Sequence, residues 1–265
     1  MPSLNHARAL ESIVRDVARQ TVLPRFMKSV RQHKSDGSSV TQVDLACQKA
    51  LIERLPELQV SPFIGEEMSP RQHRSCWQDG AEGLWCIDPI DGTTNFANGI
   101  PFFAISVAWL VGGEPQYGVV YNPITDEAFY ASKGHGAWLN GTPLPLRQPA
   151  RSLSSAVAGI DLKRLPDTLL TALVREKPYY SQRNFGSSAL EWCFVAAGRL
   201  DVYIHGGQAI WDFAAGRLIL AEAGGCASDL AGQPVKSEPI GKQVVVLGAN
   251  ASLHSQWLDW LKAHG

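Results

Sequence analysis

Two stretches near the start of the chain carry hydrophobic residues at helical spacing. Across residues 4–30, apolar side chains recur three and four positions apart from Leu10 onward, which predicts an amphipathic helix. Pro24 is expected to kink or end it, because proline lacks the N–H that a helix interior needs. The same spacing predicts a second helix from about Thr41 to Leu55, and Pro56 follows directly.

The middle of the chain has the shorter apolar runs and turn residues that indicate β-strands. Gly112-Gly113 and Asn122-Pro123 separate these runs, and Asn140-Gly141 is typical of a tight hairpin turn. Residues 68–83 are polar and are interpreted as a connector. The predicted strands of this part are 60–65, 84–87, 103–111, 116–121 and 127–131.

Strands and helices alternate in the second half of the chain. This order predicts sheets layered between helices. Near residue 150 the pattern changes from mainly strands to alternating strands and helices. This change predicts two subdomains, 1–150 and 151–265, with the functional site between them and most of the metal-binding carboxylates in the first subdomain. The predicted strands are 155–160, 179–183, 200–204 and 244–247, and the predicted helices are 166–177, 186–198, 211–223 and 253–263.

Composition argues against several kinds of partner. The chain has 265 residues, a formal net charge of −1 and no basic run, so it lacks the footprint of a protein that binds nucleic acid or an anionic membrane. Its five cysteines form no CxxC pair, which is typical of reduced thiols in the cytoplasm. No apolar run suits a signal peptide or a membrane span, and we expect a cytoplasmic location.

The chemistry of the chain is concentrated in one segment. An apolar run, Leu84–Ile87, leads into Asp88 and Asp91. Residues three apart on a regular strand point to opposite faces, so both carboxylates can serve one site only if the chain turns between them. Pro89 fixes φ at such a turn, which can also aim the carbonyl of Ile90 inward. Together they would offer hard oxygen ligands to a cation.

Small residues follow these carboxylates. Gly92 permits a tight bend, and the N–H groups and hydroxyls of Gly92, Thr93 and Thr94 suit a phosphate, especially if a helix begins there. An isolated Asp-Gly is a common surface turn, but the whole segment Asp-Pro-Ile-Asp-Gly-Thr-Thr-Asn-Phe, residues 88–96, is far more specific. It resembles the signature of the inositol monophosphatase family, whose members are magnesium-dependent, lithium-sensitive phosphatases.

Two further motifs resemble the same family and occur in the family's order. Gly65-Glu66-Glu67 ends an apolar run, and Trp211-Asp212-Phe-Ala-Ala-Gly opens a predicted helix. Alone, the glutamates would be a solvated strand end, and Asp212 would be a favourable acid at a helix start. The resemblance implies that Glu66 and Asp212 are metal ligands and that Glu67 supports Glu66.

The start of the second predicted helix leaves two explanations open. A polar loop from Gln32 to Ser39 leads to Thr41 and Asp44, which are good residues for capping a helix. The resemblance adds that matching residues lie close to the metal site. Asp44 is therefore either a cap or a supporting residue of the site.

The resemblance also implies a fold, a cofactor and an assembly. The expected fold is the αβαβα layered sandwich, an α+β or α/β arrangement, and the expected assembly is a homodimer. Magnesium is the expected cofactor, because an all-oxygen set without His or Cys does not select softer metals. One ion would be held by Glu66, Asp88 and the Ile90 carbonyl, and a second by Asp88, Asp91 and Asp212, so that two ions clamp the reacting oxygens.

The remaining site residues are expected to bind phosphate and water. Thr93, together with Glu66, would orient and deprotonate the water that attacks phosphorus in line. The N–H groups of Gly92 and Thr93 would hold the phosphate oxygens. Ser187 and Ser188 match a turn that lines the substrate in the family, and the substrate is a small phosphorylated molecule.

The sequence does not decide which alcohol forms the phosphate ester. Inositol monophosphate or a related sugar phosphate is expected from the Thr-Thr-Asn-Phe motif, whereas the loop from Lys34 to Thr41 is closer to the branches that act on histidinol phosphate or phosphoadenosine phosphate. Fructose bisphosphate is a further alternative. His205 stands where the inositol branch usually has glutamate, so it either favours an ester with an acceptor or a second negative charge, or is a loop residue facing solvent.

A role of a different class is also possible. Some bacterial relatives bind the RNA-synthesis machinery without catalysis, although the neutral composition of this chain gives that role no support.

Overall fold

Five layers alternate between helices and sheets, which confirms the predicted αβαβα sandwich. The computed structural model describes residues 2–28, 32–33, 39–40 and 42–265. Its α-helices are α1 (Leu4–Val17), α2 (Gln42–Arg54), α3 (Pro70–Asp79), α4 (Thr93–Ala97), α5 (Asp167–Glu176), α6 (Ser188–Ala196), α7 (Ile210–Glu222) and α8 (Ala251–His264).

The strands form a short pair and two larger sheets. The pair consists of β1 (Gln32–His33) and β2 (Ser39–Val40). The larger sheet has seven strands in sequence order, β3 (Phe63–Gly65), β4 (Leu84–Asp91), β5 (Ala104–Val111), β6 (Glu114–Asn122), β7 (Glu127–Ser132), β8 (Ala137–Leu139) and β9 (Thr142–Pro143). They are antiparallel except for the pair formed by β3 and β4.

The second sheet has five strands in the order β11-β10-β12-β14-β13. These are β10 (Val157–Asp161), β11 (Ser181–Arg183), β12 (Val202–Gln208), β13 (Cys226–Ser228) and β14 (Gln243–Gly248). β10 runs parallel to β11 and β12, and β14 runs antiparallel to both of its neighbours. In the sequence, residue 150 lies between the last strand of the larger sheet and the first strand of the second sheet. The division of the chain into two subdomains at this residue stays a prediction.

Helices on both faces bury β4 completely. Side chains alternate along a strand, so Leu84 and Cys86 enter the core beside α6 and α7, while Trp85 and Ile87 enter the core beside α1 and α2. α5 and α8 cover the outer face of the five-stranded sheet through a third core. The predicted apolar strand before Asp88 is therefore a fully buried strand of the first sheet, second from its β3 edge.

Small residues let α7 lie close to its neighbours. A Cβ added at Gly216 would lie 2.6 Å from the Cβ of Trp192 in α6. On the sheet side, a Cβ added at Gly118 of β6 would lie 3.1 Å from the Cβ of Ala215. This close packing, which the small residues after Asp212 predict, sets the start of α7 against β4.

Two interpretations of polar stretches are wrong. Residues 68–83 contain α3, whose cap residue Ser69 accepts the N–H of Gln72 while the Gln72 side chain accepts the N–H of Ser69. This capping box and Pro70 are helix-start signals that the polar composition obscured. Part of the predicted loop from Gln32 to Ser39 pairs as β1 and β2, and residues 34–38 and 41 lie outside the described residues.

Within the described residues, no helix combines the length and the apolar character that crossing a membrane requires.

Candidate functional site

The two aspartates of β4 reach the same side of the sheet. Pairing with β5 shifts its register between Asp88 and Asp91. Within this irregularity, the N–H of Ile90 donates to Oδ1 of Asp88 at 3.0 Å. The predicted turn between the two carboxylates is thus present, and it breaks the alternation that would have separated them.

Asp212 joins these two residues from α7. One carboxylate oxygen from each of Asp88, Asp91 and Asp212 lies within 4.8 Å of the others. Asp88 is 1% exposed and Asp91 is 8% exposed. Oδ2 of Asp212 also accepts the N–H of Ala209 at 2.9 Å. Asp212 therefore both caps its helix and faces the cluster, so the two explanations of this acid are compatible.

The loop before α6 holds Asp91 in place. Oδ2 of Asp91 accepts the hydroxyl of Ser187 at 2.5 Å and the N–H of Ala189 at 2.7 Å. The side chain of Ser187, which is predicted to line the substrate, is fully buried and orients the carboxylate of Asp91; its contact with a substrate stays a prediction. The N–H of Ser188 also bonds Asp91, and a substrate contact of Ser188 stays a prediction.

Gly92 allows this loop to touch the end of β4. Its φ of 92° is a conformation that glycine adopts without strain. A Cβ at this position would lie 3.1 Å from the carbonyl oxygen of Gly186 and 3.3 Å from the Cβ of Ser187. The predicted bend is present, and the short helix α4 begins directly after it.

Burial raises the pKa of each carboxyl group in the cluster, and repulsion by neighbouring carboxylates adds to this for Asp88 and Asp212. Burial, followed by the charges of Glu66, Asp91 and Asp212, raises the pKa of Asp88 well above its usual value. Burial raises the pKa of Asp91 to about 6, although three hydrogen bonds favour its ionised form. Burial and the charges of Asp91 and Glu66 also raise the pKa of Asp212 well above its usual value. A cation among these groups would favour their ionised forms.

Thr93 connects the cluster with α2. Its Oγ1 lies 3.0 Å from the carbonyl oxygen of Ile90 and 3.3 Å from Oδ1 of Asp44. Because a hydroxyl has one proton, it donates to one of these oxygens at a time. Asp44 lies in the first turn of α2 and is fully buried. The structure therefore brings this predicted supporting residue to Thr93.

Glu66 and Glu67 form the turn after β3. The N–H of Met68 donates to the carbonyl of Gly65 at 3.2 Å and closes this turn. Glu66 lies outside the tight cluster of three aspartates, but its charge raises the pKa of Asp88. Both glutamates are partly exposed, and their roles at a metal stay predictions.

His73 ties the Glu66 turn to α7, and the sequence analysis missed it. Its Nε2 lies 2.8 Å from the carbonyl oxygen of Gly65. Its ring contacts Trp211 with the ring centroids 4.8 Å apart. His73 is buried, and a histidine in the capped stretch after Ser69 was the available signal. This residue thus supports the segments that carry Glu66 and Asp212.

His205 lies in a strand and not in a loop. It is 7% exposed and pairs in register with Asp161 of β10. Its Nδ1 accepts the N–H of Gly207 at 3.0 Å, and its Nε2 lies 3.6 Å from Oδ2 of Asp161. Burial lowers its pKa to about 4 despite the neighbouring carboxylate. The explanation as a solvent-facing loop residue is wrong, and its contact with a substrate stays a prediction.

A second residue that the sequence analysis missed is a buried acid behind the site. Glu191 of α6 is 1% exposed, and its Oε1 accepts the N–H of Phe185 at 3.1 Å. It also has a side-chain hydrogen bond with Tyr203, and burial raises its pKa to about 8. Glu191 therefore fixes the start of the turn that carries Ser187. An acid within an otherwise apolar helix was the signal that could have revealed it.

Comparisons with known proteins agree with this architecture. The model of the inositol monophosphatase family matches residues 3–263. Inositol monophosphatase 1 of Bos taurus is 34% identical over 238 residues, which cover 87% of this chain and 84% of that protein. The Nus factor SuhB of Pasteurella multocida is 37% identical over 207 residues, which cover 75% and 74%. A solved IMPase of Thermotoga maritima has a TM-score of 0.82 at 28% identity, covering 95% and 94%.

These findings define the class of protein as a phosphatase, a hydrolase of the layered αβαβα type. Since the family model matches nearly the whole chain, the chain belongs to the inositol monophosphatase family.

Proposed function

We propose that this chain is a magnesium-dependent phosphomonoesterase that hydrolyses a small phosphate ester, inositol monophosphate or a related sugar phosphate. The observation that carries the proposal is the cluster of Asp88, Asp91 and Asp212, whose carboxylate oxygens lie within 4.8 Å of one another. Burying carboxylates so close together is costly unless a cation compensates their charge.

The donor set fits Mg²⁺. The clustered side chains are all carboxylates, and hard oxygen ligands suit Mg²⁺ better than softer metals. The residues that would hold two ions are Glu66, Asp88 and the Ile90 carbonyl for one, and Asp88, Asp91 and Asp212 for the other. When bound, the ions would supply positive charge to the reacting phosphoryl group and make a water molecule more acidic.

The chain's own groups would bind and orient the reactants. We assign the N–H groups of Gly92 and Thr93 to the phosphate, since the first N–H groups of a helix have no partner within it. When Thr93 donates to Asp44, its oxygen can accept a hydrogen bond from the attacking water. Glu66 is assigned to take the proton of that water.

Attack by water requires no nucleophile from the protein. The hydroxyl of Ser187 donates to Asp91 at 2.5 Å and is fully buried. It therefore has no access to an ester, although it is adjacent to the cluster. We propose direct transfer of the phosphoryl group to water, without a covalent enzyme intermediate.

His205 would affect which alcohol part of the phosphate ester the site prefers. With Nδ1 accepting from Gly207, a neutral imidazole presents an Nε2–H donor and no further acceptor. An ester that offers an acceptor there would be preferred over a polyol that needs a carboxylate. Fructose bisphosphate, histidinol phosphate and phosphoadenosine phosphate are the alternatives to inositol monophosphate. Lithium sensitivity and a homodimer are proposed from the family alone, and a cytoplasmic location is proposed from the cysteine pattern of the sequence.

A second candidate function follows from one relative. The Pasteurella multocida protein is named a Nus factor, which matches a non-catalytic role with the RNA-synthesis machinery. In that case, a cellular function of the chain would survive Asp91→Asn, whereas a function that depends on phosphatase activity would be lost.

A phosphate-release panel tests the proposed function. Sugar, inositol, amino-alcohol and nucleotide monoesters would be supplied with Mg²⁺ to the wild type, to Asp91→Asn and to the matched control Asp259→Asn on the exposed face of α8. Wild type and Asp259→Asn should release phosphate from at least one ester, and Asp91→Asn should release almost none. Equal rates in all three proteins, or no release from any ester by the wild type, would refute the proposal.

A further inference from the structure

Two cationic side chains from different loops meet beside His205. A Cβ added at Gly207 would lie 3.1 Å from Cδ of Arg164 and 3.4 Å from Cβ of Lys242. The stems of Arg164 and Lys242 therefore pass over the same point of β12. Gly207 donates its N–H to Nδ1 of His205, so the two stems lie at the second residue after this histidine in the strand. We call Arg164 and Lys242 the cationic pair.

The backbone around the pair is closely packed. Arg164 has a φ of 65°, a left-handed conformation that costs energy for a residue with a side chain. A Cβ at Gly206 would lie 2.3 Å from the carbonyl oxygen of Lys163 and 2.6 Å from the carbonyl carbon of Arg164. The backbone of Lys163 and Arg164 thus packs directly against Gly206 of β12, where there is no room for a side chain. This contact fixes the position of the Arg164 backbone, from which its side chain extends.

Among the residues that the structure describes, the cationic pair has no carboxylate of its own. Lys163, next in the chain, lies 3.6 Å from Asp161. Within the part of the chain that the structure describes, neither Arg164 nor Lys242 forms an ion pair, and both are exposed. Adjacent like charges repel each other, so an anion between them would be favourable.

The pair lies within electrostatic reach of the carboxylate cluster. The charges of Arg164 and Lys242 both act on His205, and the charge of Lys242 also acts on Asp212. The cluster would hold the phosphate that is cleaved. Positive charge beside it can therefore act on another part of the same substrate.

We propose that Arg164 and Lys242 bind a second anionic group, a phosphate or a carboxylate, on the alcohol part of the ester. This inference rests on the proposed function and, among its candidate substrates, favours esters with two anionic groups over inositol monophosphate. His205 fits such a substrate better than the glutamate of the inositol branch, because a glutamate would add a second negative charge beside Asp161, which lies 3.6 Å from Nε2 of His205. Arginine is suited to phosphate and carboxylate because its guanidinium offers paired donors.

Matched substrates test the inference. The ratio of kcat/KM for fructose 1,6-bisphosphate to that for fructose 1-phosphate would be measured with saturating Mg²⁺ in wild type, Arg164→Gln and Lys242→Gln. A phosphorylated hydroxy acid, compared with the same phosphate ester lacking the carboxylate, distinguishes carboxylate from phosphate. The matched control is Lys177→Gln, because Lys177 is also exposed and has a φ of 44°.

Wild type should prefer the bisphosphate, and each substitution in the pair should lower the ratio by roughly 3- to 10-fold, mainly through KM. Raising the ionic strength should also lower this kcat/KM ratio, whereas Lys177→Gln should leave it unchanged. Equal kcat/KM for the two fructose esters in wild type, or a ratio unchanged in both variants, would overturn the inference.

Calorimetric binding of fructose 1,6-bisphosphate without divalent metal separates this inference from the proposed function. If wild type releases phosphate from no ester of the panel, the proposed function fails. Weaker binding in the double variant Arg164→Gln/Lys242→Gln would then still support the cationic pair, and equal binding would overturn it.

Discussion

Two of the donors to Asp91 reach the same oxygen of its carboxylate, namely the hydroxyl of Ser187 and the N–H of Ala189 at the start of α6. Hydrogen bonds to an ionised group are stronger than those between neutral groups. They keep a buried carboxylate closer to its ionised form, which is the form that binds a cation.

Ser187→Ala should therefore weaken Mg²⁺ binding. The expected loss is about 10-fold in affinity, as is usual when a group that supports a metal ligand is removed. Calorimetry at neutral pH measures it, with Ser255→Ala on the exposed face of α8 as the matched control. Equal Mg²⁺ affinities in the two variants would show that Ser187 does not support the site.

The carboxyl group of Glu191 should make stability depend on pH. Its pKa is raised from 4.5 to about 8 in the folded chain, so between these values the folded state keeps a proton that the unfolded state has released. The unfolding free energy should then fall as pH rises from about 4.5 to about 8. Because Glu191 is buried, the decrease from this residue should be on the order of a few kcal/mol.

Glu191→Gln should remove that part of the decrease. Denaturant unfolding at several pH values, with saturating Mg²⁺ to limit proton uptake by the aspartates, gives the difference between variant and wild type. If the unfolding free energies of wild type and Glu191→Gln run parallel from about pH 4.5 to 8, Glu191 is ionised in the folded protein and the prediction is wrong.

The sequence was more informative about the clustered carboxylates than about the residues that hold them in place. Asp88, Asp91 and Asp212 could be predicted because each lies in a distinctive local motif. The bond from Ser187 to Asp91 joins residues 96 positions apart, and neither residue type nor spacing indicates such a pairing. Periodicity likewise cannot show whether His205 lies in a strand or a loop.

At the scale of elements, α3 supports the site although its sequence is polar. Its buried residue is His73, which links the carbonyl of Gly65 to the ring of Trp211. Other helices were predicted because an apolar stripe marks the buried face. α3 has no such stripe, so its capping residues were the only local signal that could have revealed it.

His73→Phe should slow turnover while keeping the ring contact with Trp211. The substitution leaves the carbonyl of Gly65 without its partner, which costs roughly 1–3 kcal/mol in stability, and it loosens the turn that carries Glu66. We expect kcat to fall by about 10-fold with a smaller change in KM. His264→Phe in α8 is the control, and a wild-type kcat in His73→Phe would contradict the role of α3.

At the scale of the whole molecule, the site exists because three segments from two adjacent layers meet. β4 supplies Asp88 and Asp91, α7 supplies Asp212, and the loop before α6 holds Asp91. The alternation of elements predicted the layers. The strand order of the second sheet and the parallel pairing of β3 with β4 could not be predicted, because they depend on long-range contacts with no local signal.

The most direct test of the central claim, that these carboxylates serve a metal-dependent phosphatase, is phosphate release from the best ester of the panel during Mg²⁺ titration of metal-free protein. Wild type should be inactive after metal removal and should regain activity with Mg²⁺, whereas folded Asp212→Asn should stay at least about 100-fold slower. Full activity of metal-free wild type, or wild-type rates in Asp212→Asn at limiting Mg²⁺, would contradict the claim.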